Sequence, residues 1–376
     1  MTQDGGRWIK ELDYMRAFAI LGIVAIHVGS FSESIEGPSA IPYLTEYTAH
    51  LADFGVPLFF IVSGYILALK RSVAIDRGSF YRRRLMTVVP PYLAFTTIYL
   101  VYNYFALDQT DIYRAAWSYL LFDAVGVFWF LGALIQMYLL FPYLAGWTRR
   151  LEAKGQVWKL PVYSAVLYVA WYAFLMDWTA QAIGAVAEPV PGFGAIITGF
   201  LFPGYLLFFA LGMYVAATPD RSGRTIRALG SAPMAAVMLL MPLGLQQIDS
   251  LFWWSVAVVP YSIVACALVL RLSRYLAARP GWATSIIEVV GRYAFGIYMA
   301  HILVMAMVVN RLWSVGLGAD DLLFYLVLYA VTIAVCVIVL FIINLLPFGP
   351  LITGMRSRNG YKRARRRRDA VEDPHR

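Results

Sequence analysis

Residues 16–27 read RAFAILGIVAIH, an arginine and a histidine enclosing nothing but apolar and small residues. Continued to residue 32, the run is long enough to cross the hydrocarbon core of a bilayer, which takes about 20 helical residues. It has company. The same reading gives ten apolar stretches: 12–32, 51–70, 86–106, 127–147, 157–177, 195–217, 232–247, 252–271, 286–310 and 322–346. The seventh is short and the sixth contains FPGY, so these two are the least regular. Another apolar patch, residues 113–126, is too short to span and reads as a re-entrant or interfacial piece. The expected fold is therefore an all-α integral membrane protein of about ten transmembrane helices.

Composition agrees. The chain is 376 residues long, 61% hydrophobic and only 14% charged, with a mean hydropathy of +0.66. A soluble domain of that length has no interior large enough for so much apolar surface. Cys266 and Cys336 each sit inside an apolar run and read as small buried hydrophobes, with no disulfide framework. The four histidines, at 27, 50, 301 and 375, have no paired ligand spacing, so no metal is expected. Glu11 and Asp13 interrupt the basic start, and the first segment reads as a retained helix rather than a cleaved signal.

The net charge of +9 raises nucleic acid as a partner, and the placement of the charge argues against it. Lysines and arginines crowd alternate connections: 7–10, 70–84, 149–159, 221–227, 271–292 and the KRARRRR tail at 362–368. The opposite connections hold only Arg114 and Arg311. Under the positive-inside rule the basic set is cytoplasmic, which puts both termini there, in a cell (plasma or inner) membrane. The chain divides into a transmembrane domain, 1–355, and a basic tail, 356–376, whose simplest partner is anionic lipid headgroups.

Arg16 and His27 are eleven residues apart, which at 100° per residue returns to about the same helix face and separates them by about 16 Å. Ionisable groups at such depth usually meet a cavity or a partner. Arg16 snorkelling to headgroups, with His27 making one structural hydrogen bond, is the plainer alternative. A histidine can also take and return the proton of a hydroxyl nucleophile. Other blocks share this chemistry. Ser63 and Gly64 form a small pair in the second stretch that permits close backbone approach. Arg82, Arg83 and Arg84 precede Pro90 and Pro91; they suit phosphates, and ordinary inner-face anchoring also accounts for them. Trp129 falls where an interfacial aromatic belongs, as do Tyr43, Tyr47, Trp117, Tyr119, Trp253 and Trp254. A second intramembrane histidine, His301, follows Tyr298 by one turn.

Taken in order, these blocks resemble the acyltransferase-3 family of integral membrane acyltransferases. LDYMRAFAILGIVAIH (12–27) is similar to its opening pattern. FFIVSGYIL (59–67), the arginines running into PPY (82–92), WFL (129–131) and GRYAFGIYMAH (291–301) follow in the family's order. The chain departs from the pattern at Ala17, Thr87 and Ala294. The resemblance implies an acyl-CoA donor, acetyl-CoA first, and a hydroxyl acceptor on a glycan or lipid-linked sugar. It implies that Arg16 and His27 are catalytic, with His27 the base, and that Arg82, Arg83 and Arg84 hold the CoA phosphates. Ser63, Trp129, Tyr298 and His301 are candidates to line the site. The acid that orients His27 is left open among Asp53, Glu46 and Asp123. Competing readings are a polysaccharide exporter or flippase, which would need no CoA, and a non-catalytic partner in a glycan-synthesis complex.

Overall fold

The computed structural model describes residues 10–34, 39–69, 75–109, 111–186 and 189–354. The basic tail lies outside them. In chain order the helices are α1 (Lys10–Gly29), α2 (Ile41–Ala52), α3 (Gly55–Ala68), α4 (Arg77–Ala106), α5 (Ile112–Leu121), α6 (Trp129–Ala153), α7 (Lys159–Ala170) and α8 (Met176–Val186). They continue with α9 (Phe193–Gly199), α10 (Leu206–Ala217), α11 (Pro219–Leu229), α12 (Ala232–Leu245), α13 (Leu251–Ala277), α14 (Trp282–Ser314), α15 (Leu322–Ile343) and α16 (Gly349–Thr353). In hydrocarbon every backbone polar group must be satisfied internally, and an all-helical chain does this segment by segment.

Among the described residues, eight helical segments are long and apolar enough to cross a membrane, so this is a multi-pass membrane protein. A ninth span results if α11 and α12 are counted together, across a 65° bend. Two of the ten expected stretches are not single long helices. Stretch 195–217 breaks into α9, a 3₁₀ turn at Phe202–Gly204, and α10. Stretch 232–247 becomes α12, only 14 residues long. Conversely, the second stretch reaches further back, because α2 and α3 form one segment from Ile41 to Ala68. Patch 113–126 yields the ten-residue α5, too short to span, as its length implies.

Aspartates start three of the helices. Asp76, Asp111 and Asp321 accept from the backbone N–H groups of Ser79, Arg114 and Leu323 at 3.3, 3.0 and 2.9 Å. Each satisfies a donor that the first turn leaves free. The hydrogen bonds from Ser79 hold the exposed Asp76 carboxyl below its usual range.

The break before α10 would strand polar backbone in an apolar interior. Gln136 of α6 meets that need: its Nε2 donates to Phe200 O at 2.8 Å, and its Oε1 accepts from Phe202 N at 3.1 Å. Replacing it with leucine leaves both groups unpaired, a cost of about 1–3 kcal/mol for each that stays buried. Gln136→Leu is expected to melt at a lower temperature than wild type in detergent. An unchanged melting temperature would mean that the break is held by other contacts.

Helices α1, α3, α6, α10 and α14 contribute to the main core, which includes the fully buried Ala17, Phe60, Leu131, Phe209 and Met299. Helices α1 and α14 run side by side in the same direction, with Gly291 against the backbone of Asp13 near one end and His301 beside His27 further along. Arg77 and Arg84 of α4 lie over Tyr143 and Tyr138 of the antiparallel α6. This end of the bundle, where α1 and α4 begin, is its basic end. Both cysteines are free and buried.

Candidate functional site

The site's axis is α1. At the basic end Arg16 Nη1 donates to Asp13 Oδ1 at 3.2 Å, and Asp13 is almost fully buried. This close seating of α1 requires Gly291, because a Cβ there would lie 2.1 Å from Asp13 O. The hydroxyl of Tyr138 lies within electrostatic reach of both Arg16 and Arg84, and the Arg84 guanidinium sits 5.8 Å from the Tyr138 ring. Arg16 of α1 and Arg84 of α4 thus bring positive charge to the same end of the bundle. Arg82 and Arg83 point elsewhere and are exposed. Consecutive helical residues are 100° apart, so three adjacent arginines cannot share one face.

Further along α1, the ring of His27 lies 5.3 Å from that of His301, centroid to centroid. His301 is fully buried. Its Nδ1–H is shared between the carbonyls of Ile297 and Tyr298 at 3.1 and 2.9 Å. Both partners are acceptors, which assigns the proton to Nδ1 and leaves a lone pair on Nε2. That Nε2 is buried and has no hydrogen-bond partner among the described residues. No hydrogen bond to the His27 ring is found among them either.

An aromatic wall adjoins the pair. Tyr298 is 6.2 Å from His301 and 5.3 Å from Phe130. Phe130 contacts Phe60, Phe60 stacks on Tyr205, and Tyr205 stacks on Trp129 at 5.1 Å. Trp129 thus faces other rings in the bundle rather than standing alone at the interface. The Tyr298 hydroxyl donates to Val127 O, so Tyr298 serves here as a wall. Ser63 is half-buried on α3, and Gly64 beside it meets the α10 backbone at Phe209. Tyr99 of α4, which carries no sequence signal, spans the turn that holds His301: its hydroxyl donates to Met299 O and accepts from Leu303 N, each at 3.1 Å.

Two of the three acids that sequence left open for His27 are engaged elsewhere. Asp53 accepts from His50 Nδ1 at 2.8 Å. Asp123 pairs with Arg114, and Glu46 is exposed. No cluster of three or more metal-ligating side chains occurs among the described residues.

This arrangement can bind an anion at the basic end and handle a proton at the histidines. A family model described as an acyltransferase domain matches residues 9–341. The chain belongs to the acyltransferase-3 family. The match spans both histidines, Arg16, the α4 arginines and the whole aromatic wall. Family and fold together are those of a membrane-embedded acyltransferase. No curated protein and no solved structure matches the chain.

Proposed function

We propose that this acyltransferase-3 protein moves an acyl group, acetyl first, from cytoplasmic acyl-CoA to a hydroxyl of a cell-envelope glycan or lipid-linked sugar. The observation that carries the reading is the placement of Arg84 over Tyr138 at the end of the bundle where Arg16 pairs with Asp13, with Arg16 about 16 Å along α1 from His27. A CoA donor has the matching form, with its phosphates at one end and its thioester at the tip of a long thin arm. With the basic end cytoplasmic, the orientation that the charge asymmetry supports, the phosphates stay at the arginines and the arm runs along α1.

At the tip, His27 takes the acceptor's hydroxyl proton as the oxygen attacks the thioester carbonyl. The carbon–oxygen bond forms and the carbon–sulfur bond breaks. The same proton then passes from His27 to the leaving sulfur, giving ester and free CoA thiol with no net proton. Arg16, held by Asp13, and Arg84 bind the donor. Arg82 and Arg83, being exposed, meet its outermost charge or the lipid headgroups. The basic tail would add contact with anionic lipid.

Titration of purified protein with acetyl-CoA tests the donor. Loss of one charge-assisted phosphate contact costs about 1.5–3 kcal/mol, so Arg84→Ala is expected to weaken binding by about 10- to 100-fold. Arg82→Ala, on an exposed face, should change it less than about threefold. Wild-type protein that binds neither acetyl-CoA nor longer acyl-CoAs would overturn the reading. An exporter would behave in that way.

A further inference from the structure

A histidine that acts as a base in acyl transfer usually has its second ring nitrogen held by a carboxylate. Asp53 and Asp123, the half-buried candidates, are bound to His50 and Arg114. What faces His27 is another imidazole, His301, 5.3 Å away and inclined by 41°. Its orientation is tightly set. Nδ1–H is committed to two carbonyls of its own helix, and the Tyr99 hydroxyl clamps the turn around it from α4. The atom left over is Nε2, a lone pair enclosed in protein with no hydrogen-bond donor among the described residues. Buried acceptors are rarely left unpaired, and His27 carries an N–H in either neutral tautomer.

We propose that His301 is the positioning residue for His27: its Nε2 accepts the His27 N–H, fixing one tautomer and aiming the other ring nitrogen at the acceptor hydroxyl. At that centroid separation one nitrogen of each ring can come within hydrogen-bond distance when the half-buried His27 ring turns toward Nε2. This assignment rests on the base role proposed for His27. When His27 takes the hydroxyl proton it carries two N–H groups, one held by His301 and one pointing at the departing sulfur. The proton moves from acceptor oxygen to His27 to CoA sulfur. His301 keeps its own proton on Nδ1 throughout, so it steadies the cation and never joins the transfer.

The test uses the full chain in micelles with ¹⁵N-labelled histidine, the four resonance sets assigned by single substitutions. His301→Phe keeps a ring and removes the acceptor; His301→Gln replaces the imidazole with an amide whose oxygen can accept. In wild type His27 should show one neutral tautomer. His301→Phe should give a mixture of both, and His301→Gln should restore one. In turnover, His301→Phe should lower kcat by about 10²-fold with KM for acetyl-CoA within about twofold, and His301→Gln should recover about tenfold of that loss. If both variants fold, leave the His27 tautomer unmoved and share one kcat, the positioning role is wrong. Wild-type protein without transferase turnover would instead sink the base role of His27, while the tautomer result stands independently of activity.

Discussion

His27→Ala should abolish acyl transfer, lowering kcat by at least about 10²-fold and by as much as about 10⁴-fold, the range a positioned acid–base group supplies. Binding of acetyl-CoA should stay within about twofold of wild type. The two readouts separate because Arg16, at the end of the bundle that would hold the donor, lies about 16 Å away along α1, on the far side of the buried Ala17, Ile20, Ile23 and Val24. The one partner assigned to the imidazole is His301 Nε2, so truncation leaves a half-buried gap beside a single acceptor and breaks no other hydrogen bond among the described residues. A variant that lost turnover and donor binding together would show that His27 supports the site's shape rather than its chemistry. A variant that kept turnover would move the base elsewhere, with His301 the nearest alternative.

Much of this was legible in the sequence because it follows from one helix at a time. The apolar spans, the shared face of Arg16 and His27, and the small residue at 64 all rest on local periodicity. Helical geometry alone also says that Arg82, Arg83 and Arg84 must diverge, although the residue type gives no hint that Arg84 is the inward one. What stayed hidden depends on which helix neighbours which. His27 and His301 are 274 residues apart in the chain, and no periodicity within either helix announces the other. The same holds for Tyr99, which reaches from α4 into the turn of α14, and for Asp53, whose partner His50 lies three residues back rather than on α1. Trp129 resembled an interfacial aromatic because its position in the span was known and its neighbour Tyr205 was not. The break in stretch 195–217 was visible as FPGY, but its remedy, Gln136, sits on another helix.

The other large effect is expected at the seam between α3 and α10. A Cβ on Gly64 would lie 2.1 Å from Phe209 O, and a Cβ on Gly212 would lie 2.0 Å from Ile61 O. These are backbone contacts in both directions, so no side chain can swing aside to make room. Association of helices in lipid gains nothing from the hydrophobic effect and depends on such close packing. Helix α10 has only 12 residues, too few to span by itself, and α3 is its principal neighbour. Gly64→Val and Gly212→Val should each cost about 3 kcal/mol or more, beyond the usual cost of overpacking because the opposing atom is backbone. Size-exclusion profiles and thermal melts in detergent should show little monodisperse protein. Gly184→Ala, on α8 with nothing within 4 Å of the added carbon, should melt no lower than wild type. If Gly212→Val behaves like Gly184→Ala, the helices do not meet as closely as described. If the seam opens, the stacked rings of Phe60 on α3 and Tyr205, the residue immediately before α10, separate with it. The aromatic wall beside the histidines then loses its middle, so transfer should fail in these variants even in protein where His27, His301 and Arg16 are untouched.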